Sequence, residues 1–182
     1  MIDIEVFERH LTTKWVGRDC LLLEQTDSTN NYAKNPPRDL VHGSLILANY
    51  QLKGRGQSGK SWFGDAHKNL YFSIFTKPLR TEGLFLLSLI SAHSIIESIR
   101  SYNLAHPLMN QLKIKWPNDV YIGEHKIAGI LTENIFHGGF LKGSVIGTGW
   151  NIDQDHFPPN LKYKASSLRL LFAETWIREE LL

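Results

Sequence analysis

Three features of the sequence predict an α+β fold, a mixed and mainly antiparallel sheet flanked by helices. Strand-like and helix-like segments are both present, and they do not alternate one for one. Residues 112–153 form a chain of apolar segments punctuated by Pro117, Gly123, Gly138–Gly139 and Gly147, which predicts at least three antiparallel strands joined by tight turns. Residues 82–102 hold the longest helical pattern, with Leu86, Leu89, Ile90, His93, Ile96 and Ile99 or Arg100 at three- and four-residue steps. The chain has 182 residues, 42% of them hydrophobic, enough for one domain with a true core.

The remaining elements follow in order. Ile4, Phe7, Glu8 and Leu11 predict a short amphipathic helix within residues 3–14. "CLLLEQ" (20–25) is an apolar run of strand length. "TDSTNNYAK" follows it, where Asp27 or Ser28 is placed to cap a helix carrying Tyr32 and Ala33. "GSLILANY" (43–50) and "LYFSIFT" (70–76) read as strands, the second from its aromatic content and alternation. Between them, residues 51–69 show no sustained apolar period and predict a long surface loop. "SSLRLLFAETWIREELL" (166–182) predicts one amphipathic helix using Leu168, Leu171, Phe172, Trp176 and Leu181, after a boundary at Pro158–Pro159. The expected organisation is therefore a main domain over residues 1–164 and a C-terminal helix over 165–182.

A formal charge of +2 announces no nucleic-acid or membrane partner. The single cysteine, Cys20, excludes an internal disulfide and a multi-cysteine zinc site, and it lies in an apolar run expected to be inert core. The eight histidines show no metal-ligand spacing, and His93 is expected on the buried face of the long helix. The N-terminus lacks the basic start and apolar run of a signal peptide, and no apolar stretch reaches the ~18 residues that span a bilayer. A cytoplasmic protein is expected.

The chemistry centres on "GRGQSGKS" (54–61), which matches the phosphate-loop pattern G-x-x-x-x-G-K-[ST] letter for letter. That motif works by opening a helix whose first amides hold phosphate. Here Gly64 and Asp65 interrupt at once and the next element is a strand, so the match is a coincidence of letters. Arg55 lies between two glycines that let the backbone approach a ligand, and it offers a planar fork for a carboxylate or phosphate.

"YQLKGRGQSGKSWFG", "KWPNDVYIGEHKIAGIL" and "IGTGWNI", in this order and after "TDSTN", closely resemble the biotin protein ligases, also called biotin–[acetyl-CoA-carboxylase] ligases. The resemblance runs from about Asp27 to Asp153. It implies the fold shared with lipoate ligases and class II aminoacyl-tRNA synthetases. It also implies a two-step reaction: ATP with Mg²⁺ activates biotin as biotinyl-5′-AMP, and a lysine of a biotin carrier domain in a biotin-dependent carboxylase then takes the biotinyl group. No tightly bound metal and no covalent enzyme intermediate are implied. Gln57 stands where the family often has a second arginine, so the loop carries one cation fewer.

Carried over by position, the resemblance makes Arg55 and Lys126 the catalytic cations, contacting the biotin carboxylate and the α-phosphate. Ser28, Thr29, Asn30, Gln51, Gly54, Gly56, Gln57 and Gly129 join them as biotin-binding candidates. Trp62, Lys115, Asn118, Asp119 and Asn151 join Arg55 as candidates for the nucleotide. Each has a plainer reading. Lys126 is equally an exposed strand residue, Ser28–Asn30 a helix cap, Gln51 a polar loop residue and Trp62 a core aromatic. Lys115 alternates with apolar neighbours as an outward strand face would.

Two other functions fit the same scaffold: a lipoate or octanoate ligase or transferase, and a non-catalytic biotin sensor. Only 26 residues precede Asp27, too few for the helix-turn-helix domain that some biotin ligases carry, so DNA binding is not expected. Family members usually continue into a small SH3-like barrel, and residues 165–182 are read as its possible start. A homodimer through exposed strands is the remaining expectation.

Overall fold

The computed structural model describes residues 1–78, 80–102, 105–161 and 163–182. Seven strands form one sheet: β1 (Cys20–Thr26), β2 (Leu45–Gln51), β3 (Leu70–Thr76), β4 (Leu112–Lys115), β5 (Asp119–Ile122), β6 (His125–His137) and β7 (Phe140–Trp150). Their order is β1-β2-β3-β7-β6-β5-β4. Among the described strands only β1 and β2 pair in parallel, because α2 (Thr29–Lys34) and the following segment carry the chain back across the sheet. The expected mixed, mainly antiparallel sheet is what forms, with turns at Gly123 and Gly138–Gly139, all at positive φ. Gly147 is not a turn. It lies inside β7, where a Cβ would come within 2.0 Å of Asn30 Oδ1.

Both faces of the sheet centre are covered, which explains why "LILA" in β2 reads as a continuous apolar run rather than an alternating one. Leu45 and Leu47 face the main core with α3 (Leu86–Tyr102), while Ile46 faces a smaller core with Ala33, Leu40, Phe75 and Val145 under α2. The main core also takes Phe7 from α1 (Ile4–His10), whose N-cap Asp3 accepts bonds from Glu5 and Val6 amides.

Two expected helices differ from the structure. In α3 the buried stripe is Ser88, Ala92, Ile95, Ile96 and Ile99, whereas His93 is exposed and Ile90 is 61% exposed. The small side chains of Ser88 and Ala92 let the helix sit close to the sheet, and Ser88 bonds Thr132 on β6 at 2.8 Å. That rotates the larger apolar residues of the first turns outward. The C-terminal stretch is two short helices, α4 (Leu168–Phe172) and α5 (Arg178–Leu181), separated by Ala173 at a φ of 56°. The break lets Phe172 and Trp176 stack edge to face at 5.1 Å and brings Tyr102 within 4.7 Å of Trp176. Leu168, Phe172, Trp176 and Leu181 all lie in the main core.

Cys20 packs against that core, and burial pushes its thiol up to about 11. At pH 8.5 it should therefore react with iodoacetamide about two orders of magnitude more slowly than free cysteine, and comparable rates would contradict the packing. Trp176→Ala should cost about 3–5 kcal/mol, read as a lowered urea midpoint with an unchanged slope.

Candidate active site

The cleft lies on the α2 face of the sheet. Its floor follows from the β6–β7 register, which sets Gly129 opposite Gly149 and Leu131 opposite Gly147. Three glycines on one face leave a trough where side chains would otherwise stand. Trp62 fills part of it: a Cβ on Gly149 would lie 2.3 Å from its ring, and one on Gly129 2.8 Å. Asn30 fills the Gly147 position. The cavity that remains measures about 130 Å³.

The glycine-rich loop closes over this trough as a small hairpin. Trp62 N donates to Gly54 O at 2.8 Å, Gly56 N donates to Lys60 O at 2.7 Å, and Arg55 pairs with Ser61. The tip is a single 3₁₀ turn at Gln57–Gly59, with Ser58 and Gly59 at positive φ, and the next regular element is β3. No helix opens behind the loop, so the phosphate-loop letters have none of that motif's geometry.

Helix α2 forms the opposite wall. Ser28, Thr29 and Asn30 are all buried, and the Thr29 amide donates to Gln51 Oε1 at 2.8 Å, so the β2 glutamine caps the helix start. Asn30 is fully engaged. Its Nδ2 donates to Leu131 O at 3.1 Å and Glu133 at 2.9 Å, and its Oδ1 lies 2.7 Å from Ser73 Oγ.

Arg55 and Lys126 both line the cavity, one from the loop and one from β6. Lys126 Nζ pairs with Asp119 at 2.7 Å and lies 5.3 Å from the Trp62 ring centre and 4.8 Å from that of Tyr163. Burial pushes its ammonium below the ordinary lysine value, Lys60 and Lys115 add to this, and Asp119 opposes it. Its backbone is clamped as well: Lys126 N donates to Lys164 O at 2.8 Å, and Ser166 N donates to Lys126 O at 3.0 Å. Arg55 donates to Asn31 Oδ1 at 2.7 Å and reaches Glu133 at 3.3 Å.

Of the other residues expected from the sequence, Gly56, Gln57, Trp62, Asn118, Asp119 and Gly129 also border the cavity, with Ser28–Asn30 and Gln51. Gly54, Lys115 and Asn151 do not. Gly54 sits at the hairpin base, Lys115 places its ammonium over the Tyr121 ring at 5.1 Å, and Asn151 is buried with its amide donating to Ser166 O at 3.0 Å. The sequence reading missed Lys60, Tyr163 and Glu133. The first is in the loop motif itself, but the other two are recognisable only from their tertiary neighbours.

Among the described residues, one group has metal-ligand spacing: Asp65, Asp155 and His156. It does not border the cleft, and Lys68 already occupies it, 2.7 Å from Asp155 and 3.6 Å from Asp65. No described helix is long and apolar enough to cross a membrane.

Residues 22–151 match the model of the biotin/lipoate A/B protein ligase family. The chain belongs to that family. The bifunctional ligase/repressor BirA of Escherichia coli K12 is 33% identical over 140 residues, which is 75% of this chain and 41% of that protein. The biotin–[acetyl-CoA-carboxylase] ligase of Paracoccus denitrificans is 33% identical over 135 residues, covering 72% and 53% respectively. The biotin protein ligase of Aquifex aeolicus, solved in complex with biotin and ATP, superposes with a TM-score of 0.76 at 29% identity, over 90% of this chain and 65% of that one. The fold is thus that of the biotin protein ligases, and this family member spans about two fifths of the Escherichia coli relative's length.

Gly149 has an ordinary φ, so Gly149→Ala should leave the far-UV circular dichroism unchanged while displacing Trp62. The expected sign is an altered near-UV spectrum that is lost in a Trp62→Phe background; an unaltered spectrum would refute the packing.

Proposed function

We propose that this chain carries the site of an ATP-dependent ligase that activates biotin as biotinyl-5′-AMP and transfers it to a lysine of a biotin carrier domain. The observation that carries the proposal is the convergence of Arg55 and Lys126, 71 positions apart (126 − 55), on one cavity. Support comes from relatives named as biotin ligases and from the likeness to a ligase solved with biotin and ATP.

In the first step a biotin carboxylate oxygen attacks the α-phosphorus and expels pyrophosphate. Two anions must meet, and Arg55 and Lys126 offset their repulsion at the point of contact. In the second step the carrier lysine's amine attacks the acyl carbon, the bond to phosphate oxygen breaks, AMP leaves with the electron pair, and the amine gives up a proton. No side chain of the enzyme has to form a bond. Mg²⁺ is assigned to the ATP phosphates, because Asp119, the one carboxylate among the described residues that borders the cleft, is committed to Lys126.

The other roles follow from which polar atoms are free. Asn30 has both amide hydrogens engaged, and Thr29 Oγ1 accepts from Ser73 and donates to Gln51 Oε1, so these two build the wall and leave the Ser28 hydroxyl and the Gln51 amide nitrogen to meet the ureido end of biotin. Asn118 and Asp119, at the start of β5, face the nucleotide. A cavity of about 130 Å³ is smaller than the ~300–1,000 Å³ of typical ligand sites, so the 54–62 hairpin must lift to admit vitamin and nucleotide.

Incubation with biotin, MgATP and a carrier domain should add one biotinyl group to one lysine by intact mass, and excess lipoate should not suppress it. Arg55→Ala and Lys126→Ala should each slow the reaction about 100–1,000-fold with the fold retained. Full rates in both variants would overturn the assignment, and suppression by lipoate would favour the acyl-ligase reading.

A further inference from the structure

The second carboxylate near the cleft, Glu133, does not border the cavity, yet three groups that build the cleft wall and its mouth converge on it. Lys34 Nζ lies 2.8 Å from it, Asn30 Nδ2 2.9 Å and Arg55 Nη2 3.3 Å. It stands on the same face of β6 as Gly129 and Leu131, one step beyond the glycine trough, opposite Val145. Its partners come from α2 and from the hairpin, which are otherwise joined here by the Arg55–Asn31 bond. We infer that Glu133 is a positioning residue for Arg55, a carboxylate latch that holds the guanidinium and the 54–62 hairpin over the cleft from outside it.

The geometry favours support over competition for the guanidinium. Arg55 presents five N–H donors in a planar fork. Asn31 and Glu133 engage Nη1 and Nη2, and the side chain still borders the cavity, so donors remain for an anionic ligand. Glu133 is well suited to stay ionised. Burial raises its carboxyl pKa, but the bonds from Lys34 and Asn30 and the charges of Lys34 and Arg55 together bring it below the ordinary glutamate value. Lys34 also anchors the carboxylate when Arg55 departs, so the hairpin can open and reclose on a prepared anion. The consequence for ligand binding rests on reading the cleft as a biotin and ATP site; the latch itself does not.

The test uses Glu133→Gln, which keeps shape and removes charge, alone and combined with Arg55→Ala. In the ligand-free protein, hydrogen exchange of the amides in residues 54–62 should quicken about fivefold in Glu133→Gln, and the biotin dissociation constant should rise about five- to tenfold. Both differences should shrink to within about twofold in the Arg55→Ala background, because the coupling runs through that side chain. Raising salt from about 50 to 500 mM should loosen the wild-type hairpin and leave Glu133→Gln nearly unaffected. Wild-type exchange in Glu133→Gln, an equal effect without Arg55, or equal salt sensitivity in both proteins would each overturn the inference. Failure of the wild type to bind biotin would instead sink the proposed function, while the exchange measurements still decide the latch.

Discussion

The site depends on holding two like charges at one cleft before any anion arrives. A guanidinium and an ammonium facing the same cavity repel each other, and burial penalises the ammonium of Lys126 as well. Each therefore carries its own carboxylate: Asp119 lies 2.7 Å from Lys126, and Glu133 lies 3.3 Å from Arg55. Removing either carboxylate would leave a cation that relaxes toward solvent. The pairs keep the donors oriented, so in the proposed reaction little reorganisation would be left for the chemical step.

The sheet supplies this arrangement largely through one strand. β6 contributes Lys126, the Gly129 gap and Glu133, and its register with β7 adds the gaps at Gly147 and Gly149. Those gaps accept Trp62 and Asn30, which bind the loop and α2 to the floor. A dense core on the other face, from Leu45 and Leu47 through Ile130 to Trp150, keeps the strands in that register. Packing on one side thus fixes charge placement on the other.

Much of this was legible in the sequence, for a physical reason. Ser28–Asn30, Gln51, Arg55, Trp62, Asn118–Asp119 and Lys126–Gly129 lie in short contiguous motifs, and their proximity to one another is imposed by the strands they begin or end. The strand alternation of "LYFSIFT" and the turn glycines at 123 and 138–139 were equally local signals. What was misread depended on partners distant in sequence. The face α3 buries is set by Ser88 and Ala92 fitting the sheet, against the larger residues that define its pattern. The helix expected over 166–182 breaks at Ala173 because Phe172 and Trp176 pack together. Glu133 and Tyr163 carry no motif at all, and their roles exist only once α2, the hairpin and residues 163–166 come together around β6.

The most direct test is a crystal structure with a non-hydrolysable analogue of biotinyl-5′-AMP. The group replacing the phosphate should lie within about 3.5 Å of both the Arg55 guanidinium and the Lys126 ammonium. A ligand bound in the cleft with either cation more than about 6 Å from the phosphate position would contradict the shared-anion assignment.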